Sequence, residues 1–380
     1  MKKTLAAIAV LGAFSGAALA QSNVQIYGIV DGGVRLIDPT IGGLDSTFGV
    51  ASGQQSGSRF GLRGAEDLTQ GLKAVFQLEG GFDIDTGQSG QGGRLFGREA
   101  RIGLDSSGWG GLNFGRFGAI GSGTGSQDLL DGVMSAFGTS YEDAGMQGSV
   151  IGTNDRYDNM VSYQTPTMAG FKAGAMYSFQ TNGNEVPGTD QNTRYFGVGF
   201  NYKMGNLSAG LTYEQQMLAF DSGATPPVPE KDDTKMLKVG GAYDFGFIKP
   251  YAYYVRGEGG SLEGVSLYNG SSAVKSDAFG ISASVPLFGG SLLAGYQWFK
   301  SDDFRVAGAT TDSTYEREIY ALGYEYPFSK RTNFYSVASF SMGSKTWDKD
   351  NYASATTDAM KAAFQAINRN VYEIGLRHKF

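Results

Sequence analysis

The sequence contains no cysteine and only one histidine, His378. Without cysteine there is no disulfide framework, so the folded protein must draw its stability from size and hydrogen bonding. The common hydrolase chemistries need a histidine beside a serine or an acid. The single candidate lies near the C-terminal end of the sequence, which disfavours an enzymatic function.

Long apolar runs are also missing. Beyond residue 20, no apolar stretch reaches the roughly 18 residues that a transmembrane helix requires. The mean hydropathy of the sequence is −0.22, a value expected of a soluble protein. It is equally expected of a membrane β-barrel, because apolar and polar residues alternate along the strands and nearly cancel in the average.

Residues 1–20 have the pattern of a secretory signal peptide. Lys2 and Lys3 precede an apolar stretch, and small residues precede an expected cleavage after Ala20. Removing these two lysines from 31 basic residues leaves 29 against 37 acidic residues, a net charge of about −8. Such an acidic chain is not expected to bind nucleic acid. We therefore expect one exported domain over residues 21–380.

Alternation of apolar and polar residues begins directly after this segment. Val24, Ile26 and Val30 share one parity, while Tyr27 and Arg35 occupy the other. A period of two over about 8–12 residues is typical of a strand whose two faces meet different surroundings. Sixteen such segments occur, joined alternately by tight turns and long connections. The pattern predicts an all-β fold, a 16-stranded antiparallel transmembrane β-barrel with long external loops and short periplasmic turns.

The longest connection before the C-terminal region covers residues 117–155. A structureless loop of more than ~15 residues is uncommon unless it is functional. A barrel of sixteen strands encloses a channel too wide for side chains to fill, so we expect this third loop to fold inward and narrow the lumen. Leu129, Leu130 and Val133 have helical spacing, which favours a short helix over Gln127–Ala136.

Several stretches of the sequence form a recognisable set of motifs. They are VQIYGIVDGGV near the start of the mature chain, SRFGLRGAEDLTQGLKAVFQLEGGF at 58–82, FGREARIGL at 96–104, LNFGRF at 112–117, RYDNMVSYQTPTMAGF at 156–171 and the terminal GLRHKF. Together they resemble the general porins of Gram-negative outer membranes, most closely the β-proteobacterial type. The resemblance spans the whole mature chain.

This resemblance implies a homotrimer, an inward-folded third loop and passive diffusion of ions and small hydrophilic solutes. The implied surroundings are outer-membrane lipid and lipopolysaccharide. The last strand, which ends at Phe380, resembles the signal read by the outer-membrane assembly machinery. No cofactor is implied, and the acidic residues Asp302, Asp303, Asp348 and Asp350 are interpreted as solvated loop carboxylates rather than a metal site. A substrate-specific outer-membrane channel and a barrel enzyme remain alternatives.

Basic residues are expected to line the constriction. Parity places Arg59, Arg63 and Arg156 on the lumenal face of their strands. The arginine of the family motif FGRxA, which points inward, corresponds to Arg98. The family motif identifies no loop acids in this sequence, so the acidic candidates are all those close together on the third loop: Asp128, Asp131, Glu142 and Asp143.

Opposed basic and acidic rows would create a transverse field, and charged rings of this kind determine ion selectivity. The arginines favour anions, whereas the net charge and the loop acids favour cations. Charge at the narrowest point should outweigh distant charge, which is screened over ~8–10 Å. We therefore expect a weak preference for small anions.

Arg116 has the parity of Leu112 and Phe114 and should face outward. An arginine that faces lipid at the bilayer centre costs about 2–4 kcal/mol. We expect it to contact a neighbouring subunit instead, because the resemblance implies that the second loop (Asp83–Leu95) latches onto the adjacent protomer. This assigns Arg116 to the trimer interface.

Overall fold

The computed structural model describes residues 23–41, 45–130, 132–145, 156–187, 191–219, 233–259, 275–304, 313–343 and 367–380. The predicted signal peptide (residues 1–20), Asp131 and the last part of the third loop (residues 146–155) lie outside the described residues. Among the described residues, no helix is long and apolar enough to cross a bilayer.

Seventeen strand segments form one antiparallel sheet that closes on itself. In chain order they are β1 (Asn23–Pro39), β2 (Thr47–Ser52), β3 (Arg59–Thr69), β4 (Leu72–Gly81), β5 (Glu99–Ser106), β6 (Gly110–Gly118), β7 (Arg156–Gln164), β8 (Phe171–Ser178), β9 (Arg194–Met204), β10 (Leu207–Met217), β11 (Thr234–Tyr243), β12 (Lys249–Glu258), β13 (Lys275–Leu287), β14 (Gly290–Phe304), β15 (Ser313–Pro327), β16 (Thr332–Gly343) and β17 (Arg369–Lys379). A single helical turn, Gly90–Gly93, lies between β4 and β5.

The sheet closes because β17 pairs with β1, from Ile29 opposite Lys379 to Pro39 opposite Arg369. On its other edge, β1 pairs first with β3 and then with β2. β2 and β3 therefore occupy a single strand position in the barrel, next to β1, so the seventeen segments make sixteen strands. The predicted 16-stranded antiparallel barrel is confirmed. Residues 40–46 connect β1, which extends to Pro39, with β2, which begins at Thr47.

The two faces of the wall differ in the way that the alternation predicts. On β1, Ile26 is 69% exposed, whereas Asp31, of the other parity, is fully buried inside the barrel. Val24, Val30 and other apolar residues of the outward parity are also exposed. An apolar outer wall suits a hydrocarbon environment, and a polar inner wall suits a water-filled lumen.

The C-terminal residue takes part in the closure. Phe380 donates its backbone N–H to the carbonyl oxygen of Gly28 at 3.1 Å and accepts the N–H of Gly28 at 3.2 Å. The aromatic ring lies against Gly28, where a β-carbon would come within 2.3 Å of the ring. Only glycine therefore allows the last residue to lie against β1 in this way.

Candidate functional site

The third loop fills part of the barrel interior. In the structure β6 continues to Gly118, so the loop begins at Ala119, and its described part ends at Gly145. Its apolar side chains are buried against the wall: Ala119, Ile120, Leu129, Leu130, Val133, Met134, Phe137, Tyr141 and Ala144. The expected inward fold of the loop is therefore observed.

The wall receives this loop at inward-facing glycines. The contacts are Ile120 on Gly197, Leu130 on Gly210, Met134 on Gly240, and Phe137 on Gly295 and Gly323. A β-carbon at Gly240 would lie 2.4 Å from the Met134 sulfur, which is closer than real atoms approach. The absence of side chains at these wall positions leaves the space that the loop occupies.

The expected helix over Gln127–Ala136 is not formed by its described residues, which adopt turns instead. Gly132 has a φ of +69°, a left-handed conformation that interrupts a right-handed helix. Leu129 donates its N–H to the carbonyl oxygen of Ile120 at 2.9 Å, outside any helical pattern. The helical spacing of the leucines instead reflects burial of both side chains against the wall.

Polar groups of the wall fix the loop backbone at three points. The Lys238 ammonium donates to the carbonyl oxygen of Gly121 at 2.6 Å. Gln164 donates to the carbonyl oxygen of Gln127 at 2.6 Å, and Gln297 donates to that of Ala144 at 2.7 Å. These bonds satisfy buried carbonyl groups that would otherwise be costly to desolvate.

Asp143 anchors the loop through two ion pairs with the wall. It is fully buried and accepts from Arg317 at 2.5 Å and from Arg369 at 2.8 Å. Burial alone would raise the pKa of the Asp143 carboxyl, but the two guanidinium groups outweigh burial and hold the pKa below its usual value. Asp143 therefore holds the loop in place as a charged group and does not line the lumen.

Between the loop and the wall lies a polar cavity of about 930 Å³. It brings together the predicted arginines with one predicted acid: Arg59, Arg63, Arg98, Arg156 and Glu142. Further charged groups that line it are Arg35, Arg377, Lys379, Glu79, Glu99, Glu325 and Glu373. Arg35, Arg377 and Lys379 were not selected from the sequence, although the parity of β1 and β17 already marked them as inward-facing.

Arg59 and Arg98 share a single carboxylate on the wall. Arg98 Nε lies 2.7 Å from Glu79 Oε1, and an Arg59 nitrogen lies 3.7 Å from the same oxygen. Tyr27 donates its hydroxyl to the other oxygen of Glu79 at 2.8 Å. Two positive charges are thus balanced by one negative charge, and this part of the wall keeps a net positive charge.

Arg63 has only neutral partners in the described part of the chain. Its Nε donates to the side-chain oxygen of Gln25 at 2.9 Å, and its guanidinium lies 4.9 Å from the centre of the Tyr27 ring. Its charge is therefore balanced by no neighbouring carboxylate. Within the cavity, Arg63 is therefore a source of positive charge that no ion pair compensates.

Arg156 lines the cavity, but the alternation of residues along β7 does not explain this orientation. The pairing of β6 with β7 shifts between Gly115 and Phe117, and Asn159 has a φ of +51°. Such a bulge changes the parity of the residues that precede it on β7. The predicted location of Arg156 agrees with the cavity lining, but parity counted across the bulge cannot justify it.

The face that the third loop presents to the cavity is nearly uncharged. Among its described lining residues, Glu142 alone carries a charge. This carboxylate pairs with Arg35 at 2.6 Å and with Arg369 at 3.2 Å. Asp128 accepts the backbone N–H groups of Gly123 and Leu130 within the loop, which it stabilises locally. Of the predicted loop acids that the structure describes, Glu142 alone borders the cavity: Asp128 binds backbone N–H groups of the loop, and Asp143 binds Arg317 and Arg369 of the wall.

Arg116 is paired within its own chain. Its NH1 lies 2.6 Å from Asp158, and its Nε donates to the carbonyl oxygen of Gly97 at 2.7 Å. Arg94 of the second loop binds the same carboxylate at 2.7 Å. Asp158 thus gives Arg116 an ion-pair partner, which an arginine that faces lipid alone would not have. A contact between Arg116 and another subunit stays a prediction.

Comparisons with known proteins agree with this architecture. A family model described as Gram-negative porin matches residues 5–346. An outer membrane porin protein of Bordetella pertussis is 37% identical over 379 residues, which cover 90% of this chain and 94% of that protein. Outer membrane porin protein 32 of Delftia acidovorans is 32% identical over the full length of both chains. A solved structure described as an anion-selective porin from Comamonas acidovorans has a TM-score of 0.67 at 26% identity and covers 95% of this chain and 100% of that chain.

Proposed function

This chain belongs to the Gram-negative porin family of the outer membrane, and from that premise we propose that its pore prefers small anions. In this proposal, the cavity between the third loop and the wall is the narrowest part of a water-filled channel. Ions and small hydrophilic solutes cross it by passive diffusion. Arg59, Arg63, Arg98 and Arg156 lie on the wall that a passing solute meets.

The observation that carries the proposal is the charge around the cavity. In the described part of the chain, seven basic side chains and five carboxylates line it, which leaves an excess of two positive charges. On the opposite side, formed by the third loop, Glu142 is the one charged residue among those that the structure describes, and its charge is already balanced by Arg35 and Arg369. A ring with excess positive charge lowers the energy of an anion at the narrowest point and raises that of a cation.

The acidic character of the whole chain does not oppose this preference. Exposed charges on loops and turns are screened by salt over ~8–10 Å. Charges that surround a narrow cavity act on an ion at close range with little intervening solvent. The anion selectivity named for the Comamonas relative is a second support, because that structure matches nearly the whole chain.

The family also suggests how the channel is assembled. We extend the proposal to a homotrimer, in which each of three subunits has its own channel. Three equal conductance steps from one inserted particle are the expected signature of such an assembly. A single step for each particle would contradict this part of the proposal and leave the selectivity unaffected.

Selectivity is tested by the reversal potential of the purified protein in a planar bilayer under a potassium chloride gradient. We expect the sign that corresponds to chloride permeation. Arg63→Gln should shift the potential toward cations, because Arg63 makes no ion pair within the described residues and its removal leaves no carboxylate unpartnered. Lys330→Gln, an equal charge change in an exposed turn, is the matched control.

Either of two results would contradict the proposal. A cation-sided potential for the parent protein would mean that loop or mouth carboxylates control permeation. Equal shifts for Arg63→Gln and Lys330→Gln would mean that the total charge, rather than the cavity wall, determines selectivity.

A further inference from the structure

Residues 53–58, between β2 and β3, form a second inward-folded segment, which we call the strand-2 bulge. We propose that this bulge narrows the pore together with the third loop and supplies a solute contact through Gln55. The proposal builds on the proposed channel function and identifies a determinant of size and charge selection within it.

The size of the bulge follows from the strand register. On β1, Ile29 pairs with Arg59 and Gly32 pairs with Ser52. Two residues of β1 therefore lie opposite the six residues 53–58, so the bulge contains four extra residues. An ordinary β-bulge adds one residue. Four extra residues are enough to leave the plane of the sheet.

Asp31 determines that the bulge folds into the barrel. Its carboxylate, fully buried on the inward parity of β1, accepts the N–H of Ser56 at 2.7 Å. Its carbonyl oxygen accepts the N–H of Gly53 at 2.8 Å and the hydroxyl of Ser58 at 3.0 Å. The start, middle and end of the bulge are thus attached to one inward-facing residue.

The bulge contacts both the third loop and the neighbouring strands β16 and β17. The carbonyl oxygen of Gln54 accepts the N–H of Tyr141, in the third loop, at 2.6 Å. The side-chain oxygen of Gln55 accepts from Asn333 at 2.8 Å. Arg377 donates to the Ser56 hydroxyl at 3.0 Å. The two inward segments are therefore in direct contact and together border the cavity.

The end of the bulge lies beside the arginines of the wall. A β-carbon at Gly57 would come within 2.9 Å of Arg98 NH1, and the next residue but one is Arg59. A solute held near these two guanidinium groups therefore passes the bulge. All six residues of the bulge are uncharged, so its contribution is steric and includes the neutral amide of Gln55.

The steric part is tested by deleting residues 54–57, which removes the four extra residues. We expect a larger single-channel conductance and faster entry of larger sugars in liposome swelling. The matched control deletes residues 184–187 from the exposed connection between β8 and β9, which lies outside the cavity. Unchanged conductance and sugar entry in the folded 54–57 deletion would overturn the proposal.

A point substitution tests the solute contact without shortening the chain. It also tests the proposal if the 54–57 deletion variant does not fold. Gln55→Glu should shift the reversal potential toward cations, whereas Gln191→Glu, in the exposed connection between β8 and β9, should leave it unchanged. Equal effects of the two substitutions would overturn the assignment of Gln55. A cation-sided potential of the parent would instead contradict the proposed anion preference, and the deletion would still report on the width of the pore.

Discussion

The burial of Asp143 between two arginines leads to a quantitative prediction for the third loop. In Asp143→Asn, Arg317 and Arg369 lose the carboxylate that they share. Arg317 keeps its hydrogen bond to Ser341, and Arg369 keeps its ion pair with Glu142. Removing one partner of a buried ion pair typically costs about 3–5 kcal/mol. Because partners remain, we expect the lower end, about 3 kcal/mol. Such a change raises the population of the released loop about a hundredfold.

Limited proteolysis measures this population directly. The described part of the loop contains no lysine or arginine, but Phe137 and Tyr141 are sites for chymotrypsin. Both side chains are about 95% buried in the anchored loop, with relative exposures of 4% and 5%. Cleavage that requires release follows the population of the released state when opening and closing are fast. We therefore expect cleavage of Asp143→Asn to be about a hundred times faster than that of the parent.

Glu142→Gln is the matched control, because Glu142 is the adjacent carboxylate and shares Arg369. The Glu142 side chain is 29% exposed, and its pair with Arg35 is also partly solvated. Such pairs contribute about 0–1 kcal/mol, so cleavage should accelerate by less than tenfold. Equal cleavage rates for Asp143→Asn and the parent, or for the two variants, would refute the prediction that Asp143 anchors the loop more strongly than Glu142.

Two further predictions concern the same anchoring. Since the pKa of Asp143 lies below its usual value, its stabilisation is complete above about pH 4 and is lost as the pH falls through the lowered folded pKa. Chymotrypsin acts poorly there, so pepsin cleavage between pH 4 and 2 is the measurement, and equal pepsin cleavage of the parent loop at pH 4 and at pH 2 would contradict the prediction. Gly210→Leu should displace Leu130 and destabilise the anchored loop by about 1–3 kcal/mol, whereas Gly49→Leu, where a β-carbon meets no atom within 4 Å, should not alter chymotrypsin cleavage.

The strands were predictable because lipid and water impose opposite requirements on their two faces. Each strand must therefore alternate, and the alternation is readable in the sequence without knowledge of its neighbours. Ile26 and Tyr27 illustrate this, since they are adjacent in the sequence and lie on opposite faces of β1. The lumenal location of Arg59 and Arg63 follows from the same rule on β3.

Bulges limit this rule, because an extra residue changes the parity of everything beyond it. The shift between β6 and β7 separates Arg156 from the residues used to infer its orientation. The strand-2 bulge has the composition of an ordinary external loop, rich in glycine, serine and glutamine. Its inward course depends on Asp31, and nothing in residues 53–58 alone indicates that contact.

The third loop shows most clearly why the charge of the cavity could not be read from the sequence. Glu142 and Asp143 are neighbours, yet one borders the cavity and the other is buried between arginines. A loop has no period that assigns adjacent residues to different surroundings. The partners that bury Asp143, Arg317 and Arg369, lie 174 and 226 residues further along the chain. Arg317 and Arg369 come to lie beside the loop only once the barrel has closed, and their pairing with Asp143 keeps that carboxylate out of the cavity lining.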